Sequence, residues 1–264
     1  MFNYTFMQYA FIAGSLTAII CGIVSVFVVT RKASFAAHAL SHISITGAAG
    51  SLLIGLSALT GQLIINILAA IFMGSVGEKT MKNDQTIGIV LTFFLGLGAL
   101  CLFLYQSGYA GSVMSIMFGN LLAVSLSQIY LLIILSFLVL CLLFIIFRPL
   151  WFSTLEPDLA KARSLPVKTL TMLFFSIVAI TVTMACQVVG ALLVFALLIG
   201  PGAIAAQWCK SLSSLVITSS LIALLSVWTA LIIAFYENLP VSFCITLIIS
   251  ILYLIGGIKR LLID

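Results

Sequence analysis

An all-α, polytopic membrane protein of about nine transmembrane helices (eight to ten) follows from three observations on this chain of 264 residues. Hydrophobic residues make up 64% of it and charged residues only 6%. The mean hydropathy is +1.37. Charge-free apolar runs of about 20 residues, the length that crosses a hydrocarbon layer, follow one another from end to end. Hydrocarbon offers backbone groups no partner, so the spans are helices or a closed barrel. The runs are continuously apolar rather than alternating, which selects helices.

The spans read in order as 8–28, 36–57, 60–77, 86–105, 126–147, 169–186, 188–206, 213–235 and 240–257. The first has no positive n-region before it and runs on too far for a cleaved signal. Gly47, Ser51 and Gly55 recur every four residues in the second, a spacing that lets helix backbones approach in lipid. The third carries Gln62 and Asn66, and a short polar stretch over 77–85 separates it from the fourth. The segment 108–120 is too polar and glycine-rich to span, and reads as an outer re-entrant or interfacial turn. After the fifth span comes the long polar segment 148–168, RPLWFSTLEPDLAKARSLPVK. Within it, Glu156 to Arg163 reads as a short helix: Pro157 fits a first turn, acids precede bases, and Pro166 stops it. In the seventh span Gly200-Pro201-Gly202 predicts a break or kink. Trp151 and Trp208 fall at span ends, where interfacial aromatics belong.

Nine spans with the N-terminus outside and the C-terminus in the cytoplasm put every basic residue on one side. Arg31 and Lys32 follow the first span, Lys79 and Lys82 the third, and Arg148, Lys161, Arg163 and Lys168 the fifth. Lys210 follows the seventh, and Lys259 and Arg260 the last. Cytoplasmic loops carry the Lys/Arg excess, so the parity of the count is informative. The same bias accounts for the net charge of +5 without any nucleic-acid partner. The chain has room for one membrane domain, residues 1–264, with a cytoplasmic loop at about 148–168. Six cysteines are scattered singly with no CxxC, which indicates neither a disulfide framework nor a thiolate metal site.

The two histidines of the chain are His38 and His42, whose i, i+4 spacing stacks both imidazoles on one helical face. An ionisable group inside a span is costly and usually faces the protein interior or a water-filled path. Imidazole is a common ligand of zinc and other first-row divalent ions. In a zinc hydrolase of the HExxH type the glutamate activates water, but Ala39 stands at that position, and no acid lies within a span. The pair can hold a metal and has no base beside it. Gln62 and Asn66 are candidate neutral ligands, with an interhelical hydrogen bond as the more ordinary role.

The missing intramembrane acid also weighs against an ion-coupled secondary carrier or exporter, the alternative transport reading. Gly74-Ser75-Val76-Gly77-Glu78-Lys79-Thr80 misses the phosphate-binding pattern, which requires glycine directly before the lysine. Transport energy must then come from another subunit, and the charged helix at 156–163 is where such a soluble partner would dock.

Four stretches resemble the membrane subunit of zinc/manganese-type ABC importers, and the likeness runs over nearly the whole chain. Ala39-Leu40-Ser41-His42 with Gly47 is similar to the family's D-A-L-S-H segment. Thr86-Ile87-Gly88-Ile89-Val90 is similar to its A-I-G-I opening of a span. Phe118-Gly119-Asn120-Leu121-Leu122 with Ser125 is similar to F-G-N-L-L-x-V-S. Val189-Gly190-Ala191-Leu192-Leu193-Val194 through Gly200-Pro201 is similar to V-G-x-L-L-V-x-A-L-L-I-x-P. The resemblance implies a non-enzymatic permease working as a pair of copies, with a cytoplasmic ABC ATPase dimer and an extracytoplasmic metal-binding protein. It implies no permanently bound cofactor and a transported divalent ion, zinc or manganese. Glu156, Asp158, Leu159, Ala160, Lys161 and Ala162 are similar to the family's P-E-L-A-R-A-x-G coupling segment, with Ser164 at the glycine. His42 matches the pathway histidine, and His38 stands where the family has aspartate. Imidazole in place of a hard carboxylate favours zinc over manganese.

Overall fold

The computed structural model describes residues 4–75, 84–104, 117, 119, 121–191, 193–209, 211–237 and 239–263. These form ten α-helices and one 3₁₀ turn, with no strand among the described residues. In chain order the helices are α1 (Thr5–Thr30), α2 (Ser34–Leu53), α3 (Ala58–Ser75), α4 (Asp84–Leu104) and α5 (Leu126–Leu155). Then come α6 (Pro157–Ala162), α7 (Val167–Val189), α8 (Val194–Trp208), α9 (Leu212–Glu237) and α10 (Val241–Ile263). The 3₁₀ turn Leu121–Ala123 precedes α5.

Seven helices, all but α2, α6 and α8, are long and apolar enough to cross a membrane. α2 has the length, 20 residues, but its serines, threonine and histidines lower its hydropathy. α8 is apolar and has 15 residues. At 1.5 Å per residue it covers about 22 Å, less than the hydrocarbon thickness. The chain is a polytopic all-helical membrane protein.

α7 and α1 form the interior: buried side chains surround both, among them Phe174, Phe175 and Met184 on α7 and Met7 and Phe27 on α1. α3 packs on α2 and α7, α9 and α8 pack on α1, and α10 closes against α8 and α9. α4 leans on α2 and buries only Ile87 and Gly98 within the chain. The α2–α3 contact is made backbone to backbone. A Cβ on Gly47 would stand 2.5 Å from the Gly61 carbonyl oxygen, and one on Gly61 would strike the Gly47 carbonyl and the Ser51 side chain. Gly47 and Ser51 therefore pack as the four-residue spacing predicts. Gly55 does not. It lies beyond the helix at φ +73° with nothing within 4 Å. The Leu56 N–H returns to the Ser51 carbonyl and the Gly55 N–H to Leu52, the cap that glycine's left-handed freedom permits.

Three boundaries differ from the sequence reading. α5 runs to Leu155, through Arg148 and Pro149 and eight residues into the segment expected as loop. Loss of hydrophobicity is not the end of a helix: the Ser153 and Thr154 hydroxyls donate to the Leu150 carbonyl, and Leu150 and Ser153 are buried. α7 continues past Gln187 to Val189, because the amide of Gln187 finds Gln62 on α3. α8 passes unbroken through Pro201, and the interruption falls earlier, at Gly190 with φ +90°. Gly119, at φ +69°, sits against that turn, so two of the four resembling stretches meet here. Ser125 caps α5 in a reciprocal box with Gln128. The rest of the expected outer turn at 108–120, apart from residue 117, and the basic residues Lys79, Lys82 and Lys210 lie outside the described residues.

The basic flanks that are described gather at one end of the bundle. Arg31 reaches Ser153 on α5 and Thr171 on α7. Gly74, near the end of α3, lies on Met172. Val26, Ala205 and Leu215 cluster where α1 and α8 end and α9 begins, and Trp208 lies beside Gly256. At the opposite end Tyr4 meets Phe235, with ring centres 6.3 Å apart.

Candidate functional site

The turn Arg31-Lys32-Ala33 sends α2 away from α1, with Lys32 in the left-handed region at φ 55° and the Ala33 N–H closing back on the Val28 carbonyl. The two helices then touch little, and α8 meets α2 beside them. His38 and His42 lie on the face of α2 so exposed, each half-buried. Their ring centres are 4.6 Å apart and the rings nearly perpendicular, at 79°. With imidazole–metal bonds of about 2.1 Å, two rings on one ion have centres roughly 5 Å apart, so rotation of either side chain lets both reach the same cation.

The Nδ1 of His38 is buried and has no hydrogen-bond partner among the described residues. The Ser41 hydroxyl donates to the His38 carbonyl at 2.7 Å and fixes the turn between the two rings. Across from His38 stands Phe195, in the first turn of α8, edge to face with ring centres 4.9 Å apart. Among the described residues no group of three His, Cys, Asp or Glu side chains comes together. A bare imidazole pair leaves coordination positions open, which suits an ion in passage.

Gln62 and Asn66 face elsewhere. The Asn66 amide donates to Ser44 Oγ at 2.5 Å and to Thr183 Oγ1 at 3.0 Å, and Gln187 donates to Gln62 Oε1 at 2.7 Å. Ser44 is two residues past His42, so this polar seam binds α2, α3 and α7 on the face away from the imidazoles. The two amides act here as interhelical ties.

The segment read from the sequence as a docking helix forms α6, with Pro157 opening it and the Leu165 N–H returning to the Ala160 carbonyl at 3.1 Å. Glu156, Asp158, Leu159 and Ala162 are exposed, whereas Ala160 is fully buried. A charge at Ala160 would break the packing of α6, and Leu159, 54% exposed, is the better place to probe docking. Ser164, at the position where the resemblance has glycine, adopts φ 55°. Serine in that left-handed cap costs about 1 kcal/mol relative to glycine.

Sequence reasoning missed Phe195, which reads as one more aromatic in an apolar span, and treated Arg31 only as a topological marker. Nothing in the sequence alone signals the first contact. For Arg31, its position directly after a long helix was the available clue.

A family profile described as "ABC 3 transport family" matches residues 3–260. The manganese transport system membrane protein MntC of Listeria monocytogenes is 30% identical over 97% of this chain and 91% of its own length. The chelated iron transport system membrane protein YfeD of Yersinia pestis is 28% identical over 97% of this chain and 86% of its own. Among solved structures, PsaBC from Streptococcus pneumoniae in complex with Fab superposes with a TM-score of 0.85 at 30% identity, over 96% of this chain and 91% of that one.

Proposed function

Because the chain belongs to the ABC 3 transport family, we propose that it is the membrane-spanning permease of an ATP-driven divalent-metal importer in a bacterial cytoplasmic membrane. The ion enters from outside, passes the His38–His42 pair and leaves into the cytoplasm. A separate cytoplasmic ATPase dimer docks on the exposed residues of α6 and switches access to the path. An extracytoplasmic metal-binding protein delivers the ion, and a second copy of the permease completes the channel. The N-terminus lies outside, and the end of the bundle that gathers the basic flanks faces the cytoplasm, in keeping with the Lys/Arg bias.

The observation that carries this reading is the half-buried imidazole pair on α2, set against Phe195 in a chain of this family. Manganese appears in the name of the Listeria relative and chelated iron in that of the Yersinia relative. Manganese is therefore the first cargo to test, and the case for zinc rests on donor chemistry: His38 offers nitrogen where the resemblance has carboxylate oxygen.

Cells lacking this chain, grown under metal limitation, are expected to lose manganese, zinc or iron from their total content and to regain it with the wild-type chain. If His38 sets selectivity, His38→Asp moves the restored content toward manganese. Unchanged content of all three metals in the deletion would overturn import of a metal ion.

A further inference from the structure

Arg31 ends α1 at the point where α5 hands the chain on to α6. Its side chain is buried, at 9% exposure. Nη1 donates to the Leu150 carbonyl at 3.4 Å, Ser153 Oγ at 3.1 Å and Thr154 Oγ1 at 3.0 Å. Nη2 donates to Thr171 Oγ1 of α7 at 3.4 Å, and the guanidinium carbon lies 5.3 Å from the centre of the Phe174 ring. The α5 acceptors all belong to its last turns, and Glu156 and α6 follow at once. The C-terminal end of a helix carries partial negative charge, which favours a cation there. A planar fork can reach several acceptors while stacking on an aromatic ring, and a lysine cannot.

Six residues earlier on the same helix is Ser25, fully buried. Its Oγ accepts the N–H of Gly202 at 2.9 Å. Pro201 has no N–H, so the hydrogen-bond ladder of α8 is already broken there. The N–H of the next residue, Gly202, is the one that reaches α1, and a Cβ at this position would stand 2.5 Å from Ser25 Oγ. A helix with an interrupted ladder bends more easily at that point. The part of α8 beyond this point, toward its start, carries Phe195 and its contact with His38.

We propose that α1 is the transmission element between the ATPase contact and the imidazole pair. Arg31 is the positioning residue that takes up displacement of α6 through the end of α5. Ser25 passes it to the interrupted turn of α8, which carries Phe195 onto or away from His38. This rests on the reading of α6 as the ATPase contact.

The test uses the assembled transporter, permease with its ATPase, in lipid vesicles, and counts manganese ions entering per ATP hydrolysed. Absence of ATP-driven uptake by the wild type would remove the functional reading itself, separately from the inference. With the wild type coupled, Arg31→Met is expected to hydrolyse ATP at a rate within about twofold of wild type and to carry about tenfold fewer ions per ATP. Arg31→Lys should fall between, and Ser25→Ala should lower the same ratio. The double variant should be no worse than Arg31→Met alone, since residues on one line of transmission are not additive. Should Arg31→Met fail to assemble, Ser153→Ala with Thr154→Val removes the two hydroxyl acceptors from the α5 side, leaving the longer contact to the Leu150 carbonyl, and is expected to uncouple in the same direction. A wild-type ratio in the assembled variants, hydrolysis and uptake falling in proportion, or losses that multiply in the double variant would each overturn the proposal.

Discussion

Replacing His42 by alanine is expected to cut metal uptake by more than about tenfold while the permease still assembles with its ATPase. Among the described residues no third His, Cys, Asp or Glu side chain joins the imidazole pair, so losing one ring leaves a single imidazole ligand. One ligand cannot draw a hydrated dication out of water, and a partly desolvated ion without its ligands is costly at membrane depth. The side chain is half-buried at the edge of the bundle, and its removal opens little space in the core. Stability should therefore change far less than transport. Uptake in vesicles, normalised to the amount of assembled complex, checks this. Transport within twofold of wild type would remove His42 from the ion's path.

A second large effect is expected at the crossing of α2 and α3. Gly61→Ala places a methyl group against the Gly47 carbonyl and the Ser51 side chain, and neither backbone can give way without separating the helices. Alanine is the better helix former by about 1 kcal/mol, so propensity alone would make the variant more stable. Steric conflict of this kind costs about 1–3 kcal/mol and outweighs that gain. Gly257→Ala, where nothing stands within 4 Å of the added carbon, is the matched control. Thermal unfolding of the solubilised complex should show a lower midpoint for Gly61→Ala and none for the control. Equal midpoints would mean that the close approach is not what holds α2 to α3.

Much of this architecture is legible in the chain because lipid simplifies the problem: an apolar run of sufficient length has one viable conformation. What stays hidden is where a helix stops once it leaves hydrocarbon. Arg148 and Pro149 read as an exit, yet α5 continues because its next turns bury Leu150 and Ser153 and meet Arg31 at the end of α1. Gln187 reads as a boundary because its polarity shows in the sequence and its partner, Gln62, does not. The stacking of His38 and His42 follows from helical geometry alone, and it holds. Phe195 reaches that pair across 157 positions of chain, a separation that no local pattern encodes. Ala160 illustrates a quieter limit. In a helix of six residues, charges mark what faces water, while a methyl group is silent about whether it faces inward.

Both ligands of the candidate site belong to a single helix, itself clasped to α3 through backbone. The spacing of the two attachment points is therefore set once, by the pitch of that helix, and sliding one helix against another cannot draw them apart. An ion that imidazole holds more strongly would stay longer at the pair, and by the general order of affinities copper and zinc outrank manganese. Selectivity here would then be a matter of residence: the ions that bind best would occupy the pair ahead of the others and leave it more slowly. Added copper or zinc is expected to slow manganese entry without competing at the ATPase, and entry indifferent to both would show that the pair releases every ion alike.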